Sequence, residues 1–249
     1  MSQVVVKLQQ ESHEMHLENV TDMLVQDMQS LRFTSPVSCV YNPLVYAREA
    51  YGQYVKRYGD PPKEVVLVGM NPGPWGMAQT GVPFGDVEAV RGWLCIEAPV
   101  GVPAKLHPKR PVHGYACKHR EISGRRLWGW AEGTFRTPRA FFARFFVANY
   151  CPLLFLEKDG RNRTPDKLKV SERHLLEAAC DRALRRTVEC LRPRFVVGVG
   201  GFAEKRVRIA LEGLDVIVGG ITHPSPANPR ANRGWEALVV RELAALGVG

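Results

Sequence analysis

Apolar residues fall in two rhythms along this chain. Unbroken runs within residues 65–69, 141–147, 194–199 and 214–219 are short and apolar throughout, as in strands buried on both faces. Around them, residues 12–30, 44–58, 171–191, 202–212 and 232–246 read as helices, with Met15, Val20, Met23, Leu24 and Met28 on the apolar stripe of the first. A methionine stripe of this kind is ordinary core filler. Gly59-Asp60-Pro61-Pro62 breaks the second helix before the first strand begins. Strand alternating with helix predicts an α/β fold around a mainly parallel sheet.

Residues 92–138 fit neither rhythm. The stretch is rich in Gly and Pro and reads as a long loop, a length uncommon in a compact domain unless it serves function. There is no internal repeat, low-complexity tract or domain boundary. The expectation is a single domain over 1–249, with an N-terminal helical segment of about 1–60 packed on it.

Composition changes this picture in one respect. Hydrophobic residues at 45% and charged residues at 24% are ordinary for a globular chain of 249 residues, but the formal net charge is +9. A surplus of Lys and Arg favours a polyanionic partner, since each neutralised phosphate releases counterions. The six cysteines (Cys39, Cys95, Cys117, Cys151, Cys180, Cys190) include no C-x-x-C pair, against both a disulfide framework and an iron–sulfur cluster. His113, Cys117 and His119 are the nearest thing to a ligand cluster and read as ordinary residues of a polar loop. With no signal-like N-terminus and no run long enough to span a bilayer, the expectation is an intracellular protein that makes no membrane contact.

The chemistry sits in two loops. Gly69-Met70-Asn71-Pro72-Gly73-Pro74 leaves the strand at 65–69, and His223-Pro224-Ser225-Pro226-Ala227-Asn228-Pro229 leaves a later apolar run. Open α/β sheets place ligands at such C-terminal strand ends. One loop offers an amide and the other an imidazole, both stiffened by prolines. Such a pair can hold a water and stabilise a leaving group, which points to hydrolysis acting on a base. Taken singly, Asn71 fits a proline-flanked turn and His223 fits the cap of a strand.

Residues 69–85, from Gly69-Met70-Asn71 through Trp75-Gly76-Met77-Ala78-Gln79-Thr80 to Phe84-Gly85, resemble the first motif of the single-strand-selective monofunctional uracil-DNA glycosylases. Residues 223–235 resemble their second motif. Ser123-Gly124-Arg125-Arg126-Leu127-Trp128-Gly129, Asn149-Tyr150-Cys151-Pro152-Leu153-Leu154-Phe155 and Gly160-Arg161-Asn162 are similar to segments between them. The resemblance implies a three-layer sandwich with a central, mainly parallel four-stranded sheet. It also implies base-excision repair by hydrolysis of the bond between deoxyribose and uracil, with the base flipped out of the stack.

On this resemblance Asn71 positions the attacking water and His223 donates to the uracil carbonyl as charge develops. Asn149 reads the base edge, Phe84 stacks on the base, and Gly69 and Met70 add backbone donors and pocket wall, with Met77 ambiguous. Gly73 stands where common uracil glycosylases carry a tyrosine that excludes a 5-methyl group, which implies acceptance of 5-hydroxymethyluracil and 5-formyluracil. Ser123, Arg125, Arg161, Ser225, Ala227, Asn228, Arg230 and Arg233 fall where DNA contacts are expected. The basic stretches at 107–110, 125–126 and 161–163 together suggest a phosphate track. Ala227 departs from vertebrate relatives, which place a large basic residue there, and implies a preference for single strands. No lysine lies in either motif, so no lyase step is expected. No metal or cofactor is expected either.

The expected partner is DNA carrying uracil or oxidised pyrimidines, single-stranded or duplex, bound by a monomer in a bacterial cytoplasm or a eukaryotic nucleus. Two alternatives stay open: a related glycosylase acting on deaminated purines (hypoxanthine, xanthine), and a catalytically silent DNA-binding relative.

Overall fold

The computed structural model describes residues 15–249. Its centre is strand β2 (Val65–Gly69), apolar at every position but the last and buried at all of them. Because both faces are covered, the strand carries no alternation. β2 pairs in parallel with β3 (Phe145–Asn149) on one side and β6 (Phe195–Val199) on the other, and β6 pairs in parallel with β7 (Ile217–Ile221). The order is β3-β2-β6-β7. The chain leaves β2 toward β3 and returns at β6 to run the other way, which opens a crevice at the C-terminal ends of β2 and β6.

Two glycines in β7 show that the sheet is a middle layer. A methyl group on Gly219 would lie 2.4 Å from the Leu246 side chain, just past helix α9 (Trp235–Ala245), whereas one on Gly220 would meet Glu204 of helix α8 (Gly201–Ala210) at 2.1 Å. Successive strand residues point to opposite faces, so α8 and α9 flank the sheet from opposite sides. On the α9 side lie α5 (Ile122–Phe135) and α6 (Pro138–Phe142), joined by edge-on contacts of Trp130 with Trp235, Phe141 and Phe145. On the α8 side lie α7 (Val170–Leu191) and α1 (Leu17–Gln29). The expected three-layer α/β sandwich is therefore present.

Several local expectations need correction. The opening helix begins at Leu17; the part assigned to residues 12–14 lies outside the described residues. The helix expected over 44–58 is two helices, α2 (Pro43–Tyr46) and α3 (Arg48–Tyr58), parted at Ala47. Nor is the N-terminal segment wholly helical. It contributes strand β1 (Val37–Tyr41), which pairs antiparallel with β4 (Leu154–Glu157), and β4 pairs with β5 (Asn162–Arg163) in a second small sheet. The stretch read as a loop over 92–138 holds α5, whose aromatic and glycine content hid its helical period. Residues 141–142 end α6, so the strand starts at Phe145. Among the described residues no helix is long and apolar enough to cross a membrane.

An ion cluster ties α7 and α8 to the residue after β3. Arg206 is 11% exposed and bonds Asp181 at 2.5 Å, Glu177 at 3.2 Å and the Tyr150 hydroxyl at 3.1 Å; that hydroxyl donates to Asp181 at 2.7 Å. Replacing the arginine strands two carboxylates in a half-buried site. Arg206→Ala is expected to lower unfolding free energy by roughly 2–3 kcal/mol, read as a shift of the urea midpoint.

Candidate active site

The parallel register brings the two ends of the site together. Gly69 closes β2 directly beside Asn149, which closes β3, and Tyr150 and Cys151 then donate backbone N–H groups to the carbonyls of Gly69 and Met70 at 2.9 Å each. A side chain at Gly69 would lie 2.5 Å from Asn149 Oδ1 and 2.6 Å from the Phe84 ring. Glycine is required there because an amide and an aromatic ring both close on that Cα.

The amide of Asn71 is half committed. Its Nδ2 donates to the Leu153 carbonyl at 3.1 Å, which fixes the orientation and leaves Oδ1 as an acceptor. The loop beyond is held by buried Gln79, whose Nε2 donates to the carbonyls of Pro74 and Pro111 and whose Oε1 accepts from His113 N. In α4 (Met77–Thr80), Met77 offers its sulfur to Asn149 Nδ2 at 3.2 Å. A thioether is a weak acceptor, readily displaced by a carbonyl oxygen.

Phe84 sits with φ +53, a left-handed conformation rare for an aromatic residue. Its carbonyl accepts from Trp128 Nε1 at 3.0 Å and from Asp86 N at 2.8 Å. That carbonyl also abuts Gly124 of α5, where a methyl group would lie 1.9 Å from it. The ring is thus presented to the site by a backbone that α5 holds in place.

His223 follows a threonine with every backbone group engaged. Thr222 donates from N and Oγ1 to the Glu242 carboxylate at 2.6 and 2.7 Å, and its carbonyl accepts from Trp235 Nε1 at 2.7 Å. His223 then packs against Gly200 at the end of β6, and its ring centroid is 6.1 Å from that of Phe84. Ser225 N donates to Nδ1 at 3.0 Å, so the proton of the neutral ring resides on Nε2. Burial lowers the imidazole to about 4, so it is a neutral donor at physiological pH.

Asn71, Met77, Phe84, Asn149 and His223 line one cleft of ≈ 370 Å³ together with Met70, Gly73, Ser123 and Ser225, while Gly69 lies behind the Asn149 amide and the Phe84 ring. Of the others on its wall, sequence reasoning assigns no role to Glu121 and Thr164, and it places Asn162 only in a resembling segment and in the expected phosphate track at 161–163. Asn162 Oδ1 is buried without a hydrogen-bond partner among the described residues. Asn162 lies in the small second sheet, which the sequence pattern did not reveal; Glu121 carries no local signal at all.

The residues expected to contact DNA scatter more widely. Ser225 and Asn228 build the second loop, the serine Oγ accepting from Ala227 N and Asn228 Nδ2 donating to the His223 carbonyl. Ala227, Arg125 and Arg233 are exposed. Arg230 is paired with Glu242 at 2.9 Å and Arg161 with Asp159 at 3.2 Å. Arg126 braces the second loop, donating to the carbonyl of Pro224 at 3.0 Å and to Asn232 at 2.9 Å. The phosphate track expected over 107–110 needs revision. His107 is buried within a tight turn and accepts from Lys109 N, and the Arg110 guanidinium lies over Trp75. His119 stacks on the same indole, and the Cys117 thiol donates to the His119 carbonyl. Among the described residues no three His, Cys, Asp or Glu side chains gather as metal ligands.

Comparison with known proteins finds relatives of this chain among uracil DNA glycosylases. Residues 56–244 match the uracil DNA glycosylase superfamily. The single-strand selective monofunctional uracil DNA glycosylase of Mus musculus is 50% identical over 224 residues, covering 89% of this chain and 80% of its own. The Bos taurus protein of the same name is 49% identical, with 90% and 84% covered. The crystal structure of Pedobacter heparinus SMUG2 shares the fold, with a TM-score of 0.63 and 19% identity over 92% of this chain and 97% of that one.

The tautomer and ionisation of His223 are directly measurable. Nitrogen-15 NMR of the imidazole is expected to show the Nε2–H form from pH 8 down to about 5, with protonation only as pH nears 4. The unfolded chain takes up this proton at its ordinary value of 6.5, so its uptake erodes stability as pH falls from 6.5 toward 4 and has no effect above that window.

Proposed function

Because this chain belongs to the single-strand selective monofunctional uracil DNA glycosylase family of the uracil DNA glycosylase superfamily, we propose that Asn71 and His223 are the two residues that carry its reaction. The enzyme is a uracil-DNA glycosylase of DNA repair, a hydrolase without lyase activity. The observation that carries the assignment of roles is a shared economy. Asn71 and His223 each commit one polar atom to the backbone and keep the other for the same cleft.

The N1–C1′ bond breaks first, its electron pair leaving with the base and positive charge growing on the sugar. A water held by Asn71 Oδ1 then forms the new bond to C1′. An amide orients water without taking its proton, which suffices when the electrophile is already cationic. The proton released on attack passes to the departed uracil anion or to solvent. The neutral Nε2–H of His223 donates to the uracil O2 as the base becomes an anion, a preorganised donor at the point where charge develops. Asn149 pairs its Oδ1 with N3–H and its Nδ2 with O4, giving up the weak contact to Met77. Cytosine would present a donor to that donor and leave buried groups unpaired. Phe84 covers the face of the base.

The substrate range extends to 5-hydroxymethyluracil and 5-formyluracil, supported by the absence of a side chain at Gly73. The enzyme acts as a monomer on single- and double-stranded DNA and favours single strands. The exposed methyl of Ala227 supports the preference, because so small a tip fills little of the gap a flipped base leaves in a duplex.

Single-turnover release of uracil from oligonucleotides tests the roles. Asn71→Ala and His223→Ala are each expected to slow it by about 10²–10³-fold with the fold intact; activity surviving both would mean the chemistry lies elsewhere. Ala227→Arg is expected to raise duplex activity relative to single-strand activity by about tenfold, and an unchanged ratio would remove the tip from the explanation.

A further inference from the structure

Given the uracil reading, on which this inference rests, the cleft can be laid out around a pyrimidine ring. Asn149 offers acceptor and donor side by side to N3–H and O4. Its Nδ2 touches Met77 Sδ at 3.2 Å, so Met77 marks the O4 side. The next ring atom is C5. The loop carrying Met77 runs back through Gly76 and Gly73, and Glu121 lies over both. A methyl group on Gly73 would be 2.6 Å from Glu121 Oε2, and one on Gly76 would be 2.8 Å from its Cγ. The wall that follows the O4 edge toward C5 is therefore topped by a carboxyl, the one carboxyl among the described residues that line the cleft.

Glu121 is the N-cap of α5; its side chain closes no full capping bond, and its polar neighbours within the protein are the N–H and hydroxyl of Ser123. It is the backbone N–H that is anchored, donating to Asp86 Oδ2 at 3.0 Å, while Arg120 holds the same aspartate at 3.0 and 3.1 Å. The backbone is fixed, and the carboxyl lines the cleft with Ser123 beside it. Burial pushes its acid up from the usual range, the Asp86 carboxylate adds to this, and Ser123 opposes it.

We propose that Glu121 selects the 5-substituent, hydrogen-bonding a hydroxyl on a C5 methylene and discriminating against a carboxylate there. A hydroxyl both donates and accepts, so it meets the carboxyl in either protonation state. A formyl oxygen only accepts and is served only by the protonated acid. A 5-carboxylate would bring a second anion into a partly desolvated site, at a cost set by repulsion as well as lost hydration. Gly73 and Gly76 supply the room in which the Glu121 side chain lies.

The test compares kcat/KM for 5-hydroxymethyluracil and 5-carboxyluracil, each divided by that for uracil on the same single-stranded sequence and the same preparation. The ratio cancels any loss of folded enzyme. Glu121→Leu is expected to lower the hydroxymethyl-to-uracil ratio by about tenfold, the worth of one hydrogen bond, and an unchanged ratio overturns the proposal. Glu121→Gln keeps the shape and the hydrogen bond but loses the charge. It is expected to hold the hydroxymethyl ratio within about threefold while raising the carboxyl-to-uracil ratio by about fivefold or more. A carboxyl ratio that stays flat in this variant also overturns the proposal. Wild-type enzyme that releases no uracil would instead sink the reading beneath it.

Discussion

The contact on which the site depends is the one made at Gly69, where an amide and an aromatic ring close on a single Cα. It follows from register: β2 and β3 run parallel and in step, so that Gly69 and Asn149 end side by side. With any side chain at Gly69 the Asn149 amide or the Phe84 ring would have to retreat. Everything that recognises a base is arranged around that missing group. The loop of Asn71 leaves the same strand, Met77 comes back onto the Asn149 amide, and the Phe84 loop is pressed inward by Gly124 of α5.

The side chains there follow a common electrostatic plan. None of the proposed catalytic groups is charged at neutral pH, and each has its orientation set by the main chain. Leu153 holds Asn71, Ser225 holds His223, and the Thr222 clamp of Glu242 and Trp235 holds the strand end from which His223 projects. Fixed dipoles of this kind need no rearrangement when charge moves from sugar to base. Apart from the Glu121 carboxyl on the cleft wall, the formal charges nearby lie in the supports: Glu242 beneath Thr222, Asp86 beneath Glu121, and Arg206 beside Tyr150.

The middle of the main sheet was legible because β2 and β6 are buried on both faces and so carry unbroken apolar runs. Edge strand β7, with Ile217 exposed, begins three residues later than the run at 214–219 implies. Helices α7, α8 and α9 were legible because surface helices alternate. The second sheet was not, since β1 is five residues and β5 only two, too short to show any period. Helix α5 hid behind its glycines and tryptophans. At the site, Asn71, Asn149, Phe84 and His223 stood out by motif, and the structure brings them together. Glu121 could not have been found that way, because it reaches the cleft through the packing of a helix start against two glycines of a distant loop. The role of Arg126 was likewise invisible. A basic residue on a DNA-binding protein looks like a phosphate contact until its guanidinium is seen bracing the Pro224 carbonyl.

The left-handed backbone at Phe84 has a consequence for how separable this pocket is. A non-glycine residue with φ +53 is held there by its surroundings, here the Trp128 indole, the Asp86 amide and the bare Cα of Gly124. The first loop does not encode its own shape; a helix some forty residues further along the chain imposes it. Transplanted to another scaffold, the loop would relax and turn its aromatic ring away. The two would have to be inherited or grafted as one module, and drift in α5 at Gly124 or Trp128 would alter base recognition without touching a residue that meets the base.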